Sequence, residues 1–209
     1  MPERFTTGLA GLDAQLGGGV PPGTVHLLIG EPMNALELFA YHFAAGASRL
    51  GGALFVATSS NEEEVREGVK NVGGAPDKVK VQTLPDGKSW EPTEVAKGQR
   101  YVLNSFSEYQ VAVGWEKAYA RLQRLKEETR STKVNLLVIV TGGLHDNREI
   151  TLLKLWADGV MELGFDRQGF GLYPYLKVTK MRGVPDSSRF LLFKETERGL
   201  FMESARRVF

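Results

Sequence analysis

The chain contains no cysteine, which excludes disulfides and thiolate metal sites and fits an intracellular, cytoplasmic protein. It also lacks an excess of either charge. Its 26 Lys and Arg stand against 25 Asp and Glu, and a net charge of +1 gives no electrostatic case for nucleic acid or a membrane surface. No apolar run approaches the roughly 20 residues that a membrane span needs, and Met1-Pro-Glu-Arg-Phe5 has no signal-peptide core. Histidine is scarce, and His26, His42 and His145 fall on a strand, a helix face and a loop without ligand-like spacing. His145-Asp146 is a lone dipeptide with no companion carboxylates, so metal chemistry is not indicated and no cofactor is expected. What remains is an ordinary globular composition, 209 residues with 42% hydrophobic and 24% charged, which suits a single domain over 1–209.

Glycine, by contrast, is abundant at 24 residues, and its clusters at 17–19, 51–52, 73–74 and 142–143 punctuate short alternating elements. Val25–Ile29 reads as a buried strand, followed by a helix over Leu36–Leu50 with Leu36, Phe39, Ala40, Phe43, Ala44 and Ala47 at helical spacing. Ala53–Ala57 is a second strand. Asn61, with Glu64 three residues on, caps a helix that runs through Val72 and stops at Gly73-Gly74. Strands follow at Val79–Leu84 and Tyr101–Leu103, then one long amphipathic helix over Glu108–Thr129 and a central strand at Val134–Val140. Beyond it the pattern turns antiparallel: Gly159–Leu163, Tyr173–Thr179, Phe190–Lys194 and Leu200–Glu203. The expected architecture is α/β, a largely parallel twisted sheet with helices on both faces and an antiparallel C-terminal extension. The mixed charges of Arg121–Lys133 read as a solvated helix face, Trp115 and Tyr119 as core, and 86–92 as a loop anchored by Trp90.

One junction has the frame of a phosphate-binding loop without its chemistry. A working loop reads G-x-x-x-x-G-K-[ST]: glycines let the backbone curl around the phosphates, the lysine neutralises them, and the hydroxyl holds Mg²⁺. Here the strand leads into Gly30-Glu31-Pro32-Met33-Asn34-Ala35-Leu36-Glu37. Ala35 stands for the second glycine, Leu36 for the lysine and Glu37 for the Ser or Thr. A Glu37 carboxylate about 4 Å from a phosphate would cost on the order of 4 kcal/mol at an effective dielectric of about 20. A plain strand-to-helix turn, with Glu37 favourably placed in the helix's first turn, accounts for the same residues.

Phe5-Thr-Thr-Gly-Leu-Ala-Gly-Leu-Asp13 through Gly17-Gly-Gly-Val-Pro-Pro-Gly-Thr-Val25, then Ala157-Asp-Gly-Val160, Lys180-Met-Arg-Gly183 and Phe193-Lys-Glu-Thr-Glu-Arg-Gly199, resemble the RecA/KaiC-like ATPase core over essentially the whole chain. The resemblance implies a RecA-like P-loop fold and allows the family's catalytic positions to be placed. The acidic pair after the second strand, which supplies the general base in active members, falls on Ser59 and Ser60. The strand-end Walker B acid falls on Asn104; an alternative placement at Val138–Thr141 also lacks the acid. With loop lysine, metal hydroxyl, Walker B acid and general base all replaced, the expectation is a pseudo-ATPase with no catalytic residues. Lys180 and Arg182 retain the basic pair that in active relatives reaches the neighbouring subunit's nucleotide. The implied partners are a homo-oligomer or an active RecA/KaiC-like paralogue, in a signalling, motility or recombination-accessory setting. Two alternatives stay open: that the pair serves only the fold, and that the old cleft binds a different small ligand through Glu37, Asn104, Ser59 and Ser60, or binds nucleotide weakly.

Overall fold

The computed structural model of the chain describes residues 3–47, 51–84, 100–168, 171–184 and 189–203. Among these, nine strands form one sheet in the order β3-β2-β4-β5-β1-β6-β7-β8-β9. The strands are β1 (Val25–Gly30), β2 (Ala53–Ala57), β3 (Val79–Thr83), β4 (Arg100–Asn104), β5 (Asn135–Thr141), β6 (Gly159–Gln168), β7 (Gly171–Met181), β8 (Arg189–Thr196) and β9 (Gly199–Met202). The first six run parallel, and β7, β8 and β9 continue the sheet antiparallel from β6. The expected α/β architecture with its antiparallel extension is what the chain adopts.

β1, β2, β4 and β5 are almost wholly buried because helices cover both faces, which is why they read as unbroken apolar runs. On one face α1 (Ala10–Gln15), α2 (Asn34–Ala45) and α3 (Glu62–Asn71) bury Leu12, Phe39, Phe43, Val65 and Val69 against Leu28, Phe55, Val102 and Leu137. On the other, α4 (Phe106–Val113), α5 (Trp115–Thr132) and α6 (Asn147–Trp156) bury Phe106, Leu122, Leu125 and Trp156 against Leu27, Leu54, Leu103 and Val138. Parallel strands on a common N-to-C direction bring β1, β2, β4 and β5 to one end of the sheet, where the following loops meet.

Several element boundaries depart from expectation. The helix expected over Leu36–Leu50 begins at Asn34 and ends at Ala45, with Gly46 as its cap, and residues 48–50 lie outside the described residues. The single long helix is two, because Gly114 adopts φ 86° at the cap between α4 and α5, a conformation that ends one helix and redirects the next. Helix α6 has no counterpart in the expected pattern. The charged stretch of α5 is not uniformly solvated: the Arg121 and Lys126 side chains are only 11% and 17% exposed, and Lys126 lies over the Trp156 ring at 5.6 Å. The Trp90 loop lies outside the described residues. The capped helix is as expected, Asn61 and Glu64 forming a reciprocal capping box at the start of α3.

The opening motif is explained by packing. Asp13 accepts from Thr7 N–H and Thr7 hydroxyl, each at 2.7 Å, and from the Thr6 hydroxyl. Gly8, at φ +89°, passes so close to α2 that a Cβ there would lie 2.0 Å from the His42 carbonyl oxygen. Arg100, 1% exposed, donates to the Phe43 carbonyl at 2.6 Å and to that of Thr6, with its guanidinium 4.6 Å from the Phe43 ring centroid. Burial pulls its pKa down to about 10, with Asp13 opposing the shift. The motif is thus a brace that ties the N-terminus, α2 and β4 together at the end of the sheet remote from the loops.

Candidate functional site

The loops at the C-terminal ends of β1, β2, β4 and β5 form the cleft where an open parallel sheet offers a ligand site. The structure brings Glu37, Ser59, Ser60 and Asn104 into this one region and bonds some of them to each other. Glu37, in the first turn of α2, accepts the Ser60 hydroxyl at 2.8 Å and the Tyr41 hydroxyl at 2.7 Å, both on Oε1. Burial, reinforced by the Glu37 carboxylate, pushes the Tyr41 phenol well above its ordinary range, so it remains a donor. Ser59, just after β2, donates to Glu108 Oε1 at 3.2 Å, and Thr58 donates to the other oxygen of the same carboxylate. The Asn104 carbonyl accepts Thr58 N–H at 2.9 Å, and Ser105 N–H donates to the Thr58 hydroxyl at 2.8 Å, which zips the ends of β2 and β4 together.

The turn after β1 is not a cradle. Gly30 belongs to β1, Glu31 and Pro32 are exposed, and Met33 caps α2 with an extended backbone and no side-chain cap bond. Asn34 opens the helix, so Ala35, Leu36 and Glu37 are all helical. No residue from 30 to 37 has a positive φ, whereas a phosphate nest alternates right- and left-handed residues. Leu36, at the lysine position, is 6% exposed, and a Cβ placed on Gly30 would meet its Cδ2 at 3.3 Å and Leu163 Cβ at 3.1 Å. That position is interior packing. On the other side, Gly142 N–H donates to the Gly30 carbonyl at 2.7 Å, and a Cβ on Gly142 would lie 3.0 Å from Glu31 Oε1.

The electrostatics of the cleft follow from its composition. Segments 30–37, 58–62, 104–108 and 141–147 contain Glu31, Glu37, Glu62, Glu108 and Asp146 and neither lysine nor arginine. Glu62 is paired with Arg66 at 2.8 Å, so an anion arriving there meets chiefly the carboxylates of Glu31, Glu37 and Glu108. Among the described residues, no group of three or more His, Asp or Glu converges in a way that could hold a metal ion.

Lys180 and Arg182 lie at the opposite end of the sheet, since β7 runs back beside β6 and Met181 pairs with Gly159. Lys180 Nζ donates to the carbonyls of Lys154, Leu155 and Ala157 at 3.1, 3.4 and 2.6 Å, capping the end of α6. Arg182, its side chain 63% exposed, reaches Asp158 Oδ1 at 3.5 Å. Asp158 is a buried hub: Val25 N–H donates to its Oδ2 at 3.1 Å, and Lys126 and Arg130 also approach Oδ1, at 4.0 and 3.8 Å. A cavity of about 420 Å³ lies elsewhere, on the antiparallel extension, lined by Phe165, Leu172, Tyr173, Leu192 and Glu203.

Sequence reasoning missed Tyr41, Glu108, Ser107 and Glu149. The signal for two of them was present: Ser105-x-x-Glu108 and Asp146-x-x-Glu149 repeat the spacing of Asn61-x-x-Glu64. Ser105 and Asp146 do cap their helices, accepting from Glu108 N–H at 3.3 Å and Glu149 N–H at 2.7 Å. The His145-Asp146 dipeptide is accounted for by that cap. In both helices the glutamate side chain bonds elsewhere than the cap: Glu108 reaches Thr58 and Ser59 at the end of β2, and Glu149 turns to His145 immediately before its own cap.

A mixed sheet of this order, with a strand-end cleft and an antiparallel tail, defines the RecA-like fold in its KaiC-like form. The structure superposes on a KaiC-like protein from Pyrococcus horikoshii with a TM-score of 0.77 and 19% identity, covering 97% of this chain and 100% of that one. It superposes on the flagellar accessory protein FlaH of Methanocaldococcus jannaschii with a TM-score of 0.78 and 17% identity, covering 93% and 95%. In sequence it is 26% identical to a UPF0273 protein of Aeropyrum pernix, over 97% of this chain and 94% of that protein. The chain belongs to a family of unknown function, DUF7125, whose model matches residues 4–197. No helix among the described residues is long and apolar enough to cross a membrane.

Proposed function

We propose that this protein is a non-catalytic member of the RecA/KaiC-like fold, a pseudo-ATPase that works through protein contacts. One observation carries this reading: the Glu37 carboxylate, bonded to Ser60 and Tyr41, occupies the cleft beside a loop with neither positive-φ nest nor lysine. The acidic strand-end segments favour a cationic partner group over a phosphate. Arg182 is the group best placed to supply one, because Lys180 is engaged in capping α6 and Arg182 is largely exposed. A head-to-tail contact of Arg182 from one copy with the acidic cleft of the next generates a ring or filament without nucleotide. The same surface fits a related active subunit, with Arg182 completing its site.

Static light scattering at tens of micromolar without nucleotide tests the assembly. The expected result is an oligomer that Arg182→Glu dissociates and that Glu37→Arg in the same chain partly restores. A monomeric wild type sinks the homo-oligomer and leaves the hetero-oligomer to be tested by mixing with an active paralogue.

A second reading is favoured by the convergence of Thr58, Ser59, Ser60, Glu37 and Glu108, whose oxygens form a polar patch open to a small hydrogen-bonding ligand. A thermal-shift screen with cationic and polyol metabolites separates the two: a stabilising hit lost in Glu37→Gln supports a remodelled cleft.

A further inference from the structure

Ser107, in the first turn of α4, is fully buried, and its Oγ accepts Thr141 N–H at 2.8 Å. The same Oγ lies 2.8 Å from His145 Nε2, and His145 Nδ1 lies 3.2 Å from Glu149 Oε2. The spacing resembles a nucleophile, base and acid in series, yet Ser107 has no exposed surface through which a substrate could reach it, so the relay is not a hydrolytic site. Its connectivity points elsewhere. The three side chains join α4, the end of β5, the 142–146 loop and α6, and the ring itself is enclosed. Phe106 stacks on the imidazole at 5.8 Å between centroids and 7° between planes, and Trp115 meets it edge-on at 6.5 Å. The His145 side chain is 0% exposed.

The hydrogen bonds fix the tautomer. A carboxylate only accepts, so Nδ1–H donates to Glu149, and in a neutral ring Nε2 must then accept the Ser107 hydroxyl. Ser107 Oγ keeps a lone pair for Thr141 N–H, and every polar atom of the relay is satisfied. A second proton on the ring makes Nε2–H a donor to Ser107 Oγ, whose other lone pair already takes Thr141 N–H, so the Ser107 O–H loses its acceptor inside a closed pocket. The charged groups acting on the ring are Glu149 and Asp146, both from the start of α6. From α4 and α5 it meets only the uncharged Ser107, Phe106 and Trp115.

We propose that Ser107–His145–Glu149 is a proton-operated latch on the 142–146 loop, closed with neutral His145 and released when the ring takes a proton. That loop walls the cleft, through Gly142 bonded to Gly30 and through Glu31 beside Gly142, so acid opens one side of the site. The latch stands independently of whether the cleft takes a partner side chain or a small ligand. Burial, stronger here than the opposing pull of Glu149, holds the imidazole below its ordinary value. The closed loop is accordingly favoured above the ordinary pKa and loses that preference as the pH falls below it.

Hydrogen exchange across 142–149, compared at about pH 7.5 and about pH 5 after correction for intrinsic rates, reads the latch directly. Protection should drop, with about thirtyfold as the ceiling set by one proton taken up by an open-state imidazole of ordinary pKa about 6.5 and none by the closed state. In His145→Gln, whose amide can accept and donate but not titrate, the drop should vanish. Equal protection at both pH values in wild type, or an undiminished drop in His145→Gln, overturns the proposal. Should that variant not fold, ring ¹⁵N shifts of wild-type His145 decide. The Nδ1–H tautomer with a midpoint below about 6.5 supports the latch, and the Nε2–H tautomer or a midpoint at or above that value refutes it.

Discussion

Restoring the loop chemistry by Leu36→Lys together with Glu37→Thr should destabilise the protein without creating an ATPase. Leu36 is 6% exposed and fills the space beside Gly30 and Leu163, so its replacement forfeits about 2 kcal/mol of apolar burial, and the new ammonium must escape the interior. Removing Glu37 strips the acceptor from two hydroxyls. Bonds to a charged group contribute about 1.5–3 kcal/mol each when buried, and less here because the carboxylate is only half-buried. The sum, about 3–5 kcal/mol, is a large part of the roughly 5–15 kcal/mol that holds a domain together. Urea denaturation followed by circular dichroism reads the loss as a lower midpoint at unchanged slope. Phosphate release measured on the same sample should stay at background, because Ser59, Ser60 and Asn104 supply no carboxylate to activate water or hold Mg²⁺. Turnover above background, or a loss of stability under about 1 kcal/mol, would refute this placement of the site.

Two further outcomes follow from groups buried away from the cleft. His26 is fully buried with Nε2 against the Thr24 hydroxyl at 2.8 Å and Nδ1 without a partner, and burial holds its pKa at about 4. Its folded value lies below its unfolded one, so stability should be complete above about pH 6.5 and fall by roughly 3 kcal/mol toward pH 4; a flat thermal-melt profile across that window contradicts it. Asp158→Asn should cost about 1–3 kcal/mol, through the lost charge beside Lys126 and the weakened acceptor for Val25 N–H at the root of β1; a midpoint within error of wild type excludes the hub.

The parallel core was legible because β1 and β5 are buried on both faces and therefore unbroken in hydrophobicity, and because Asn61 and Glu64 bond only to each other's backbones. The break at Gly114 was not, since one glycine inside an amphipathic stripe is compatible with a continuous helix until tertiary packing redirects the chain. Helix α6 hid for a related reason: only Leu153 and Trp156 are buried, too sparse a stripe to stand out. That Glu37, Ser59, Ser60 and Asn104 gather at one strand-end cleft was legible in the sequence pattern. Their bonding partners were not. Glu108 and Glu149 occupy capping-box positions, and nothing local tells that Glu108 bonds Thr58 and Ser59, which arrive from a distant strand end, or that Glu149 turns to His145 just before its own cap, where Ser107, Phe106 and Trp115 hold the ring. Lys180 illustrates the converse. A motif suggested a role between subunits, while the fold gives it three carbonyls of its own chain.

The central claim is that this cleft has given up nucleotide, and isothermal titration of the wild-type protein with Mg-ATP, ADP and GTP tests it most directly. No saturable heat is expected at ligand concentrations up to the millimolar range. A dissociation constant below about 10 μM for any of the three, equivalent to roughly −7 kcal/mol, would contradict it.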